Sequence, residues 1–115
     1  MTQFGVNLVT LAPGAWSSQR HWHENEDEFI YVLEGEITLI TDAGEQILKP
    51  GLAAGFPAGK ANGHHLVNRS RKPARYLEVG TRAQTEEAQY SDIDMMARKV
   101  DGRFVFMRKN GEPYK

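Results

Sequence analysis

The chain has 115 residues, of which 40% are hydrophobic and 25% charged, and this composition is typical of one globular domain. Its 14 Lys and Arg residues nearly balance 15 Asp and Glu residues, so the net charge of −1 favours neither nucleic acid nor a membrane surface as a partner. The absence of cysteine excludes disulfides and thiolate metal ligands. Because we find no signal-peptide pattern and no apolar run that could span a bilayer, we expect a cytoplasmic protein.

The first two thirds of the chain predict short β-strands separated by Gly- and Pro-containing turns. The predicted strands cover residues 6–12, 29–33, 37–41, 46–48, a short segment ending at 56–59, 63–68 and 74–79. We expect the second and third of these to form a hairpin across Glu34 and Gly35. No window shows a helical period, and strands at intervals of about ten residues favour a β-sandwich or barrel.

The last third differs in character. Residues 84–89 are polar and acidic and are compatible with a short helix or a loop. Residues 95–100 and 103–108 flank Asp101-Gly102, which is a strong hairpin signal. We therefore interpret residues 83–115 as an extension that packs on the barrel (about residues 5–82) or on a partner subunit, within a single domain of residues 1–115.

The first candidate site combines His21 and His23 with Glu28. Side chains at i and i+2 of a strand share a face, and Glu28 lies on the same face as Ile30 if the next strand turns its alternate residues inward. A carboxylate buried there needs a partner, and a cation is the natural one. The alternative is that the acidic run at residues 24–28 is only a solvated turn.

A second cluster lies on a later strand. His64, Leu66 and Asn68 share one face of that strand, while His65 and Val67 share the other. A fourth ligand from this strand would complete a set of three His and one Glu, and such a set suits transition metals. The alternative is that both histidines are polar residues beside a turn.

Together these residues resemble the two sequence motifs of the cupin superfamily over about residues 5–82. The two matching patterns are Gly14-x6-His21-x-His23-x4-Glu28-x6-Gly35 and Gly51-x5-Pro57-x-Gly59 followed by His64-x3-Asn68. The resemblance implies an all-β, single-domain jelly-roll barrel, a double-stranded β-helix, with one metal bound by His21, His23, Glu28 and His64. The chain departs from the pattern in having one extra residue before His21 and two before His64. The second insertion leaves His65 as an alternative fourth ligand, although the spacing to Asn68 favours His64.

The resemblance also implies one divalent transition metal ion, namely manganese, iron, nickel or zinc, with open positions for a substrate. We expect an enzyme that acts on a small polar molecule as an oxygenase, isomerase, lyase or cyclase; the alternative is a non-catalytic ligand-binding or sensing module. A homodimer is expected, formed through the N-terminal strand or residues 104–107. Candidate residues around the metal are Tyr76, Glu78, Gln46, Phe56 and Trp16.

Overall fold

A computed structural model describes residues 1–113, which form eleven β-strands and no helix. The strands are β1 (Phe4–Leu11), β2 (His21–His23), β3 (Glu28–Glu34), β4 (Ile37–Thr41), β5 (Gly44–Leu48), β6 (Ala53–Phe56), β7 (His65–Val67), β8 (Ala74–Thr81), β9 (Glu87–Tyr90), β10 (Met96–Val100) and β11 (Arg103–Met107). All pairings are antiparallel. The predicted all-β fold is thereby confirmed. Among the described residues, no helix of the length and apolarity needed to cross a membrane occurs.

The strands form two facing layers. One layer is the sheet β1-β8-β3-β6. The other contains the sheets β5-β4-β7 and β11-β10-β9-β2, which are joined where His21 and His64 exchange two backbone hydrogen bonds of 3.1 and 2.9 Å. The N-terminal end of the short β7 strand thus lies directly beside β2, and both carry histidines.

The hydrophobic core fills the space between the layers. Strand β3 shows the reason: Ile30 and Val32 are buried, whereas Phe29, Tyr31 and Leu33 alternate with them on the outer face. The remaining core residues are Leu11, Ile37, Leu39, Leu48, Leu66, Ala74 and Tyr76. Glu28 continues the inward face of β3 toward one end of this core, as the alternation predicted.

The predicted hairpin between β3 and β4 is wrong. Strand β3 pairs with β6 and β8, while β4 pairs with β5 and β7, so the Glu34-Gly35 turn carries the chain from one layer to the other. Gly35 has a φ of +80°, and a Cβ there would lie 2.8 Å from the carbonyl oxygen of Pro73 and 2.9 Å from the Cα of Ala74. The turn is therefore packed against the backbone at the start of β8, and only glycine fits.

The C-terminal extension packs on its own chain. Strand β9 adds to β2 with His23 opposite Ala88, and β10 and β11 continue the sheet. The Asp101-Gly102 hairpin is confirmed, with positive φ values at both residues. Residues 87–90 are a strand, so neither a helix nor a plain loop describes the segment 84–89. The polar, acidic composition of this segment gives no strand pattern. Its partner strand β2 is also far away in the sequence, so no neighbouring segment indicates the pairing.

Candidate metal centre

Four side chains from three strand regions meet at one end of the barrel core. His21 and His23 come from β2, Glu28 begins β3, and His64 directly precedes β7. The Nε2 atoms of His21 and His23 are 3.2 Å apart, and Glu28 Oε1 lies 2.6 Å from His23 Nε2 and 3.8 Å from His21 Nε2. Ligand atoms of these three residues all lie within 4.8 Å of one another. His64 meets the group from the other side, with its Nε2 atom 3.4 Å from Glu28 Oε2.

The backbone fixes the orientation of His21. Its Nδ1 atom lies 2.8 Å from the carbonyl oxygen of Gln19. A carbonyl oxygen only accepts, so Nδ1 carries the proton and Nε2 presents a lone pair to the site. Burial also lowers the pKa of His21, outweighing its hydrogen bond to Gln19, and this keeps the ring neutral as a metal ligand must be.

His64, and not His65, lies against Glu28, although both imidazole rings line the same cavity. The His64 ring stacks on Phe56 with centroids 3.7 Å apart and planes 5° from parallel, which holds its edge toward Glu28. The Nδ1–H of His65 instead donates to the carbonyl oxygen of Ser18 at 2.9 Å, and the ring packs edge-on against Trp16. The alternation of faces along this strand explains the difference.

Asn68, the last residue of the second motif, has a structural role. Its amide nitrogen donates to the carbonyl oxygens of Leu11 and Lys72 at 2.9 and 2.8 Å, and its oxygen accepts from Ser70. The side chain is fully buried and closes the loop before β8. It therefore holds the end of β7 in register and does not contact the ligand group.

Charge at the site is concentrated on Glu28 and His23. Burial would raise the pKa of Glu28, but hydrogen bonds from His23 and His64 outweigh it and hold that pKa well below its usual range. Burial would likewise lower the pKa of His23, but the hydrogen bond and charge of Glu28 leave it raised. The two side chains therefore stabilise each other's charged forms, and the Glu28 carboxylate is an anionic group suited to a cation.

The four side chains line a cavity of about 190 Å³. Phe56, Tyr76 and Glu78 also line it, as expected, whereas Gln46 and Trp16 lie outside it. Burial raises the pKa of Tyr76 to about 12, and burial together with the charge of Glu28 raises the pKa of Glu78. A carboxyl group whose pKa is raised toward neutrality, next to a ligand group, is suited to proton transfer.

Sequence reasoning missed Glu86. This residue precedes β9, its carboxyl group is fully buried, and its Oε2 atom lies 4.0 Å from His23 Nδ1. It lies in the polar, acidic segment 84–89, which was compatible with a short helix or a loop, and only the pairing of β9 with β2 brings it close to His23. No local pattern could have identified it, because the segment 84–89 was not predicted as a strand.

The donor set fits a transition metal. Two imidazole nitrogens bound at 2.0–2.1 Å to a tetrahedral ion lie about 3.4 Å apart, close to the 3.2 Å between His21 and His23. The neutral imidazole edges and one ionised carboxylate match the ligands preferred by zinc, iron, manganese and nickel, while magnesium and calcium favour oxygen alone. These His and Glu side chains could therefore hold one such ion.

Fold and site together define a small jelly-roll protein with a His- and Glu-lined cavity at one end. The family model described as "Cupin domain" matches residues 7–80, which is more than half of the chain. The chain therefore belongs to the cupin family. No curated protein gives a significant match to it.

Solved structures resemble the chain in both fold and sequence. A sugar phosphate isomerase of the cupin superfamily from Silicibacter pomeroyi is 53% identical, with a TM-score of 0.97, over 100% of this chain and 73% of that protein. A candidate sugar phosphate isomerase from Acidithiobacillus ferrooxidans is 25% identical, with a TM-score of 0.87, over 98% and 72%. The polyketide cyclase RemF from Streptomyces resistomycificus is 29% identical, with a TM-score of 0.62, over 70% and 56%. The first two similarities include the C-terminal extension, which lies outside the match to the cupin model.

Proposed function

We propose that this protein is a metal-dependent isomerase that acts on a small polyhydroxylated molecule, with sugar phosphates as the first class to test. One observation carries the proposal: the ligand set of His21, His23, Glu28 and His64 shares a single cavity with Glu78. The similarity to the Silicibacter pomeroyi protein supports the choice of isomerase over oxygenase, lyase or cyclase. A bound manganese, iron, nickel or zinc ion would act as a Lewis acid on a substrate oxygen.

The residues of the chain itself supply the proton chemistry. Isomerisation of a hydroxy-carbonyl compound moves a proton between adjacent carbons, which requires a base beside the bound oxygens. Glu78 lies on β8 opposite Ile30 of β3, inside the cavity, and its raised pKa suits a group that must both accept and return a proton. Tyr76, two residues earlier on the same face, offers a neutral hydroxyl because its pKa is raised to about 12.

The cavity also limits how such a substrate binds. Among the described residues that line it, none is Lys or Arg, and the polar ones are Ser, His, Glu and Tyr. We therefore expect the hydroxyl and carbonyl end of the substrate to occupy the cavity and the phosphate to extend toward solvent. Unphosphorylated sugars should then bind at the same place with lower affinity.

The test is reconstitution followed by turnover. Protein loaded separately with manganese, iron, nickel or zinc would be incubated in D₂O with a panel of aldose and ketose phosphates and the matching free sugars. We expect NMR to show isomerisation, with deuterium from the solvent incorporated at the adjacent carbon that accepts the proton. The Glu78→Gln variant should lose about 100-fold or more in kcat, whereas Gln46→Ala, which lies outside the cavity, should retain most activity.

Metal-loaded protein that binds sugars without converting them would favour the non-catalytic sensing module. Loaded protein that neither binds nor converts any member of the panel would contradict the proposed substrate class. Equal kcat values for Glu78→Gln and the wild type would remove Glu78 from the proposed mechanism.

We also propose that the protein is a homodimer. Apolar side chains 38–54% exposed cover the outer face of β1 and β3: Phe4, Val6, Leu8, Phe29, Tyr31 and Leu33. They form adjacent rows, because β8 brings Val6 and Phe29 to either side of Val79. Strand β1 is also an edge strand with β8 as its one strand neighbour in the described chain. An edge strand beside an apolar face is suited to pairing with a second copy of the chain.

The oligomeric state tests this proposal. Light scattering of the wild type should give twice the chain mass, and the Leu8→Glu variant should be monomeric. A monomeric wild type would contradict the proposal.

A further inference from the structure

Glu86 has a buried carboxylate oxygen without a hydrogen-bond partner. Its Oε1 atom accepts from the backbone N–H groups of Glu24, Asn25 and Glu87 at 3.0, 3.1 and 2.8 Å. Its Oε2 atom, in a side chain that is 0% exposed, has no hydrogen-bond partner among the described residues and lies 4.0 Å from His23 Nδ1. Buried carboxylates are costly, so an unused oxygen in such a place calls for a donor.

His23 has a buried ring nitrogen, Nδ1, that likewise lacks a hydrogen-bond partner in the described chain. Nε2 faces Glu28 and the other ligand atoms, so a neutral ring that presents the Nε2 lone pair must carry its proton on Nδ1. That N–H group lies on the side of the ring next to Glu86 Oε2.

We propose that Glu86 is a positioning residue for the metal centre, accepting the Nδ1–H of His23 and thereby orienting this ligand. The inference rests on the proposed metal site. In the structure Nδ1 stands 4.0 Å from Glu86 while Nε2 stands only 2.6 Å from Glu28. Replacing the Glu28 contact by a ligand bond frees the ring to move back, and a shift of about 1 Å gives an ordinary hydrogen bond.

Glu26 is the competing acceptor, since its Oε1 atom lies 3.9 Å from His23 Nδ1. Its other oxygen already receives hydrogen bonds from Lys99 Nζ at 3.2 Å and from the backbone N–H of Ala83 at 2.9 Å. The Lys99 ammonium weakens Glu26 as an acceptor, whereas Glu86 pairs with no cation in the described chain. Glu26 therefore provides the matched control.

The assignment gives the C-terminal extension a role in the site. Strand β9 is locked to β2 through His23 opposite Ala88 and through the bond from Glu24 N–H to the carbonyl oxygen of Glu87. Glu86 is thus held behind His23 by backbone geometry alone. Hydrogen bonds of this kind orient ligand imidazoles, and losing one typically costs 10–100-fold in metal affinity.

The test compares Glu86→Gln with Glu26→Gln in the full-length protein, using zinc alone as the probe. The three backbone N–H groups at Oε1 require an acceptor, so a Gln side chain must keep its oxygen there and turn its NH₂ group toward His23. Two donors then face each other, and His23 is driven to the form protonated on Nε2. We expect Glu86→Gln to lose 10–100-fold in zinc affinity by chelator competition and Glu26→Gln to lose less than threefold.

Nitrogen-15 NMR of the zinc-loaded wild type adds a readout that a merely structural role would not change. We expect a proton on His23 Nδ1 that exchanges slowly with solvent, and in Glu86→Gln we expect that protection to be lost. A crystal structure of the zinc-loaded wild type should place Nδ1 within about 3.2 Å of Glu86 Oε2 even if Glu86→Gln does not fold.

Each contrary result has a distinct meaning. Wild-type affinity in Glu86→Gln, or an Nδ1 to Oε2 distance that stays near 4 Å with zinc bound, would overturn the role of Glu86 and leave the metal centre intact. A second zinc equivalent bound between His23 and Glu86 would also overturn it. Wild-type protein that binds no zinc, manganese, iron or nickel would overturn the metal centre, and the role of Glu86 with it.

Discussion

The barrel and the C-terminal extension are held together by different kinds of contact. The barrel, which includes the matched residues 7–80, encloses a continuous core of nine buried side chains between two layers. The extension buries mainly Ala88, Met96 and Ala97 and leaves Phe104, Val105 and Phe106 40–47% exposed. The barrel positions the candidate ligands by packing, while the extension is joined to it by the pairing of β9 with β2 and by hydrogen bonds of Glu86 and Lys99 to residues 24–26.

The largest effect is expected at the candidate metal ligands, which belong to the barrel. His23→Ala should reduce the bound transition metal from about one ion per chain to nearly none, because Nε2 of His23 lies at the centre of the ligand group. His65→Ala should keep the wild-type content, because His65 bonds to Ser18. Elemental analysis of purified protein measures both. Loss of the metal in His65→Ala but not in His64→Ala would show that the fourth ligand comes from the other face of that strand.

The next effect tests how rigidly the two layers are connected. Gly35→Ala should destabilise the protein by about 3 kcal/mol or more, since a positive φ adds to a clash with backbone atoms. Gly14 has the same φ of +80° but nothing within 4 Å of its added Cβ, so Gly14→Ala should cost only about 1 kcal/mol. Urea unfolding of the two variants isolates the contribution of the clash. Equal losses in the free energy of unfolding would mean that the turn before β4 can shift to accommodate the added Cβ.

Local stability should differ between the two regions by a smaller amount. Amide exchange in β11, an edge strand with mostly exposed side chains, should report opening below the global free energy of unfolding. Amides of β8, the central strand between β1 and β3, should exchange only through global unfolding. Exchange followed by NMR tests this, and equal protection in both strands would indicate that the extension and the barrel unfold as one unit.

The smallest effect concerns Glu78 in the metal-free protein. Its pKa is raised in the folded state. At a pH below the ordinary carboxyl pKa of 4.5, Glu78 is protonated in both states and does not destabilise the fold. As the pH rises through the folded pKa, stability is lost because the buried side chain resists ionisation. Glu78→Gln should therefore raise the Tm at pH 7–8 and leave it unchanged near pH 4. Thermal melts at the two pH values give the comparison. An unchanged Tm at pH 7–8 would show that the carboxyl group is well solvated.

Local patterns predicted much of the fold and most of the residues that the fold brings together in the candidate site. The period of two placed His21 and His23 on one face and Glu28 with Ile30, because strand alternation is a property of the backbone alone. The Asp101-Gly102 hairpin followed from the turn type for the same reason. Local patterns failed at the Glu34-Gly35 turn, where a short connection suggests a hairpin but the chain crosses between layers.

The sequence by itself determined an all-β chain, the strands that carry histidines and the faces on which those histidines lie. Only the tertiary structure decided which strands are neighbours, because strand pairing depends on core packing between segments far apart in the chain. That choice brought His64 to His21 across two backbone hydrogen bonds. It also placed Glu86 behind His23, 63 positions away in the sequence, where no local pattern points.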